Sequence, residues 1–256
     1  MKKERKKDRR FIDKTGERHQ NNQGCWFTII AYRSNKNLDI QFDCGYKVYN
    51  RVYKCVTKGS IKNPYHPTIF GRGFKGDGRH KQWLNSKDTK MYSKWYSMFD
   101  RCYNTASLEK NPTYGSCDVI MEWDDFQIFG DWFEENFNPE YMEKWELDKD
   151  ILFKGNKLYS PETCCFVPQE INKLFTKCDK ARGEYPIGVS YHKDVKKIVG
   201  KGFANGDKYF DCKLEAFEYY KQEKEDYIKI VADKWRPWIT IPCYNALYAY
   251  QVEITD

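Results

Sequence analysis

This 256-residue chain has no run of about 18 consecutive apolar residues, so no segment of it reads as a membrane-spanning helix and no membrane partner is expected. Its basic N-terminus is followed by no apolar stretch, so a secretory signal is not expected either. Histidine is scarce: His19, His66, His80 and His192 are the only four, and none falls within residues 81–182. Cysteine is not scarce, with ten, but the two CxxC pairs of a zinc ribbon are missing. Without an export signal a reducing compartment is expected, where cysteines mostly serve as small buried apolar side chains. The adjacent Cys164 and Cys165 are expected to alternate in and out of a short strand, as packing residues.

Apolar residues make up 40% of the chain and aromatics 17%, enough for a packed core and against wholesale disorder. The net charge of +7 is unevenly placed. Residues 1–20 carry 9 Lys/Arg against 4 Asp/Glu, and residues 21–80 carry 10 against 3. Residues 81–182 carry 14 against 18, and residues 183–256 carry 11 against 12. The whole basic excess therefore lies in the first 80 residues. "MKKERKKDRR" reads as a flexible basic arm, suited to a phosphate backbone or simply to solvation.

Changes in periodicity divide the chain into an arm (1–20), a small β-module with a basic loop (21–82), a central region (83–182) and a C-terminal module (183–256). In "LDIQFDCG", Leu38, Ile40 and Phe42 alternate with Asp39, Gln41 and Asp43, as in a strand with one buried face. About three strands are expected here. The Gly- and Pro-rich stretch after Lys58 reads as a loop whose Arg72, Lys75 and Arg79, with interleaved aromatics, suit nucleic-acid contact; a basic linker has the same composition. A helix is expected from Asp88, with Met91, Trp95, Met98 and Cys102 at helical spacing, and a second over 121–137 with its carboxylates in solvent.

Residues 145–175, "WELDKDILFKGNKLYSPETCCFVPQEINKLF", read as strand, loop, strand, helix. Together with "YSKWYSMFDRCYN", "MEWDDF", "LDKD" and "YSPETCCFVP", this order resembles the HNH-type endonuclease-like proteins of bacteriophages over residues 91–177. That resemblance implies a ββα unit, one divalent cation (Mg²⁺ or similar) and the cytoplasm of a bacterial host cell. It also implies a histidine base at the end of the first strand, where this sequence has Asp148-Lys149-Asp150 instead. In a strand, Asp148 and Asp150 would share a face and supply the metal ligands, with an oxygen from Asn172 or Asn156. Lys149 would stand in for the missing base.

The C-terminal region opens with three short strand-like pieces, with turns at His192–Val195 and Asn205-Gly206. A helix capped by Asp211 follows over 213–234, with Leu214, Phe217, Tyr220, Tyr227, Ile228 and Val231 as its buried stripe. "PIGVSYH" and "NGDKYFDCKLEAFEYYK" resemble the ethylene-response-factor type of DNA-binding domain, in which a three-stranded sheet lies in the major groove. The positions matching its reading strands are Tyr191, His192, Lys193, Lys196, Lys197, Lys201 and Lys208.

The expected class is thus α+β: an N-terminal β-module, a helical centre with a ββα unit, and a three-stranded antiparallel sheet packed on one helix. The expected function is sequence-specific binding of double-stranded DNA by a monomer of homing-endonuclease type, with cleavage or nicking at Asp148 and Asp150. The alternatives are a catalytically inactive DNA-binding regulator and a phage counter-defence protein that acts through its aromatic surface.

Overall fold

A computed structural model describes residues 12–175 and 184–256; most of the expected basic arm lies outside the described residues. The chain is an α+β protein that divides into two compact units. One comprises the chain up to Arg79 with Asp125–Gln127, the other His80–Asp124 with Ile128–Asp256.

The first unit is built on a four-stranded antiparallel sheet in chain order, one strand more than expected. Its strands are β1 (Arg18–Gln20), β2 (Trp26–Ser34), β3 (Asn37–Phe42) and β4 (Lys47–Arg51), followed by the short helix α1 (Tyr53–Thr57). The first of these falls inside the segment expected as arm. Phe27, Ile29, Leu38, Ile40 and Phe42 are fully buried with Val56 and Ile61. Each such side chain contributes about 1.5–3 kcal/mol through removal from water. Asp39, expected in solvent, is buried: its carboxylate accepts from Arg33 at 2.7 Å and from the Asn50 amide at 2.9 Å. The Gly- and Pro-rich stretch is folded, with Ile69 bridging Gly73 and Phe74 bridging Asp125.

In the second unit, the hairpin β5 (Trp83–Leu84) and β6 (Lys87–Asp88) leads into helix α2 (Lys90–Tyr103). Thr89, not Asp88, caps that helix, accepting from the Tyr92 amide. Trp95 is fully buried and donates its indole N–H to the Trp123 carbonyl at 2.7 Å. After α3 (Thr105–Lys110) and β7 (Asp118–Val119), helix α4 (Phe126–Asn136) sets Trp132, Phe133 and neighbouring Phe137 against Phe166. Next come β8 (Glu146–Asp148), β9 (Leu158–Tyr159), β10 (Cys165–Val167) and α5 (Gln169–Leu174). The antiparallel β8 and β10 pair, and α5 follows directly, so the strand–loop–strand–helix order is present.

The rest of this unit is the three-stranded antiparallel sheet β11 (Val189–His192), β12 (Lys197–Gly200) and β13 (Lys208–Phe210), backed by helix α6 (Lys213–Trp235). Gly188 is required where the chain enters this sheet, at φ +70°, since a Cβ there would lie 2.0 Å from the Tyr220 ring. Leu214, expected in the helix's buried stripe, is 60% exposed, and the stripe includes Glu223 and Lys224 instead. A further helix, α7 (Ile241–Tyr248), was not expected. Its fully buried Cys243 meets the thiol of Cys165, and Cys164 is buried as well, so the two adjacent cysteines do not alternate between core and solvent. Strand β10 is covered on both faces, by the aromatic cluster of α4 on one and by α7 on the other.

Segments 83–182 and 183–256 fall mainly in this one unit. Trp145 packs on Trp235, Glu170 accepts from both Lys234 and the Trp235 indole, and Lys154 bonds Asp256 at 2.7 Å.

Candidate functional site

The "LDKD" motif is shaped by a turn rather than by strand alternation. Strand β8 ends at Asp148, whose Oδ1 accepts the amides of Asp150 at 2.9 Å and Ile151 at 2.8 Å. That reversal sets the Asp150 carboxyl against the Asp148 carboxyl. Burial, reinforced by the Asp150 charge, pushes the Asp148 carboxyl up to about 6, outweighing the two amides that favour its ionised form. Between them Lys149 is buried, its ammonium 3.3 Å from Asp150 Oδ2 and 5.8 Å from the centres of the Tyr114 and Tyr159 rings.

Asn156 holds this loop together, its side-chain amide donating to the carbonyls of Lys149 at 2.7 Å and Leu158 at 2.6 Å. Asn172 is half-buried on α5, which packs against β8. Among the described residues no three His, Cys, Asp or Glu side chains gather as a metal-binding group. A Mg²⁺ ion commonly keeps most of its water and takes only one or two carboxylates from a protein, and the oxygens left to it here are those that neither the two amides nor Lys149 engage. Asp148 and Asp150 would hold it.

Sequence reasoning missed His80, which lies one residue outside the histidine-free stretch. It is buried against α4, with Nε2 2.9 Å from Asp131 and Nδ1 3.5 Å from Glu134, so these carboxylates are not simply a solvated face. A Cβ at Gly130 would fall 2.4 Å from that imidazole, so only glycine admits it. The signal available was the glycine inside an otherwise bulky aromatic helix.

The C-terminal sheet sorts the expected reading residues by register. Tyr191, Ile198 and Phe210 pair across the strands, and the last two pack towards the core with α6. Tyr191 therefore lies on the helix side, though 45% exposed. Lys208 also turns to that side, its ammonium 4.6 Å above the Tyr219 ring. The other face carries Ser190, His192, Lys197 and Tyr209 around a buried Val199, with the His192 and Tyr209 rings 5.9 Å apart and Lys197 paired to Asp211 at 2.5 Å. That pairing replaces the expected helix cap, since α6 begins after Cys212 without a side-chain cap. Lys193 and Lys196 lie in the exposed β11–β12 turn, Lys196 at φ +56°.

Lys201 instead lines a cavity of about 790 Å³ with Phe203, Tyr220, Lys224 and Tyr250. Burial, then the neighbouring Lys201 charge, lowers the Lys224 ammonium to about 8. In the first unit Arg72 and Lys75 are half-buried, and Arg79 is exposed. The loop carrying them is pinned through its backbone, where Gln127 donates to the Lys75 carbonyl at 2.8 Å.

No family model, curated protein or solved structure matches this chain.

Proposed function

We propose that this protein binds double-stranded DNA sequence-specifically. The observation that carries the reading is the face of the C-terminal sheet turned away from α6, where His192, Lys197 and Tyr209 stand together beside the lysines of the β11–β12 turn. A narrow antiparallel sheet backed by a helix can enter the major groove, where such side chains reach phosphates and base edges. The basic excess of the first 80 residues adds the sequence-independent attraction that phosphate contacts require. Fluorescence anisotropy with a labelled duplex tests this. His192→Ala and Lys197→Ala are each expected to weaken binding by about 1–3 kcal/mol if they reach bases. Unchanged affinity in both variants would remove this sheet as the reading face.

The adjoining carboxyls of Asp148 and Asp150 favour a second reading, metal-dependent nicking of the bound duplex. They would hold Mg²⁺, whose chemistry there would be to neutralise the charge of a scissile phosphate. Supercoiled plasmid with Mg²⁺ or Mn²⁺ is expected to be nicked by the wild type and left intact by the Asp148→Ala, Asp150→Ala double variant. An intact plasmid with the wild type, under conditions where DNA is bound, would leave a non-catalytic regulator.

A further inference from the structure

We propose that the outward face of the N-terminal four-stranded sheet is a separate duplex-DNA contact surface, spanning the major groove from one phosphate wall to the other. It rests on the duplex-binding function proposed above and assigns to it a surface formed by strands β1–β4. The register aligns Arg18 with Thr28, Thr28 with Gln41 and Gln41 with Lys47, making one row across all four strands. At the usual interstrand spacing this row is roughly 14 Å long, close to the roughly 12 Å width of the major groove. Cations stand at its two ends, where the phosphate walls would lie. A hydroxyl and an amide stand between them, where base edges would lie.

Two exposed aromatic side chains flank the row. Trp26 is 47% exposed with the Arg18 guanidinium 5.4 Å from its ring centre, and Tyr49 is 57% exposed. Trp and Tyr are enriched at interfaces, where the ring packs on a partner while its polar edge stays wet. The charge is complementary to DNA as well. The only acidic residue within the four strands is Asp39, which is buried and bonded to Arg33. Asp43, just beyond β3, pairs with Arg18 at the surface, and an exposed pair of that kind exchanges readily for a phosphate.

The test uses the full chain, a labelled 30-bp duplex of random sequence, and anisotropy titrations across a range of salt. Arg18→Glu with Lys47→Glu is expected to weaken binding about tenfold or more and to flatten the slope of log K against log salt by about 2. Arg18→Gln with Lys47→Gln provides the same reading without charge reversal. Both pairs are exposed, so thermal melting is expected to stay at the wild-type temperature. Lys110→Glu with Lys144→Glu, a matched charge change in the other unit, is expected to leave both affinity and slope nearly unchanged.

Wild-type affinity and slope in both Arg18/Lys47 variants would overturn the proposal while leaving duplex binding by the C-terminal sheet intact. An equal loss in the Lys110/Lys144 control would overturn it too, by making the effect one of net charge alone. If DNA binding is unchanged but sedimentation shows a lost dimer, the face belongs to a second copy of the chain and the proposal fails. No duplex affinity in the wild type, even at low salt, would defeat both this assignment and the function on which it rests.

Discussion

Glu223 shows how a single residue escapes pattern reading. It lies on the buried stripe of α6, a place where a charge is costly unless paired. One of its oxygens accepts the amides of Phe203 and Ala204 at 3.0 Å and of Asn205 at 3.1 Å, while the Asn205 side-chain amide binds the other. The carboxylate therefore organises the turn that joins β12 to β13. These bonds, the Asn205 side chain foremost, hold its carboxyl down to about 2 from an ordinary 4.5. A lowered folded-state value means that the stabilisation is complete above pH 4.5 and drains away as pH falls through about 2. The wild type is expected to melt above Glu223→Gln at neutral pH, with the gap closing from about pH 5 to pH 2. A gap that stays constant over that range would contradict the assignment. Asp148 and Asp150 were legible as a pair from "LDKD", but the turn that joins them was not, because it depends on two backbone amides folding back onto Asp148.

At the scale of elements, the long apolar patterns were readable and the short ones were not. Helix α2 was visible in its spacing, and its core residue Trp95 has no exposed surface and makes one indole hydrogen bond. Trp95→Ala is expected to cost about 3–5 kcal/mol in a urea melt. A loss below about 1 kcal/mol would show that the site collapses around the deletion or is less well packed than its geometry implies. The missed helix α7 is only eight residues, but it carried its signals: Thr240 caps it, accepting from the Cys243 amide, and a proline lies in its first turn. Its role was not visible in the sequence, since the burial of Cys165 depends on packing across some 80 residues of chain. The strands of the C-terminal sheet were likewise legible, with Asn205-Gly206 marking one turn. Which of their lysines face away from α6 is a matter of register, and the resemblance to a DNA-reading sheet grouped Lys208 with Lys197 although they lie on opposite faces.

At the scale of the molecule, the division expected near residue 182 is bridged by the Trp145–Trp235 contact and the Glu170 and Lys154 bonds, so the central and C-terminal segments fold together. Such a joint is invisible locally because each partner reads as ordinary surface in its own segment. The charge asymmetry is the most legible whole-chain property, and it maps onto the first unit, whose strands carry a single, buried acid. The proposed binding of duplex DNA through several phosphates at once rests on that asymmetry together with the face of the C-terminal sheet turned away from α6. The most direct test is an anisotropy titration of the wild-type chain with a labelled duplex at 50 and 200 mM salt. Binding at the lower salt is expected to weaken about a hundredfold or more at the higher, as several released counterions require. No binding at 50 mM salt, or an affinity indifferent to salt, would contradict the account.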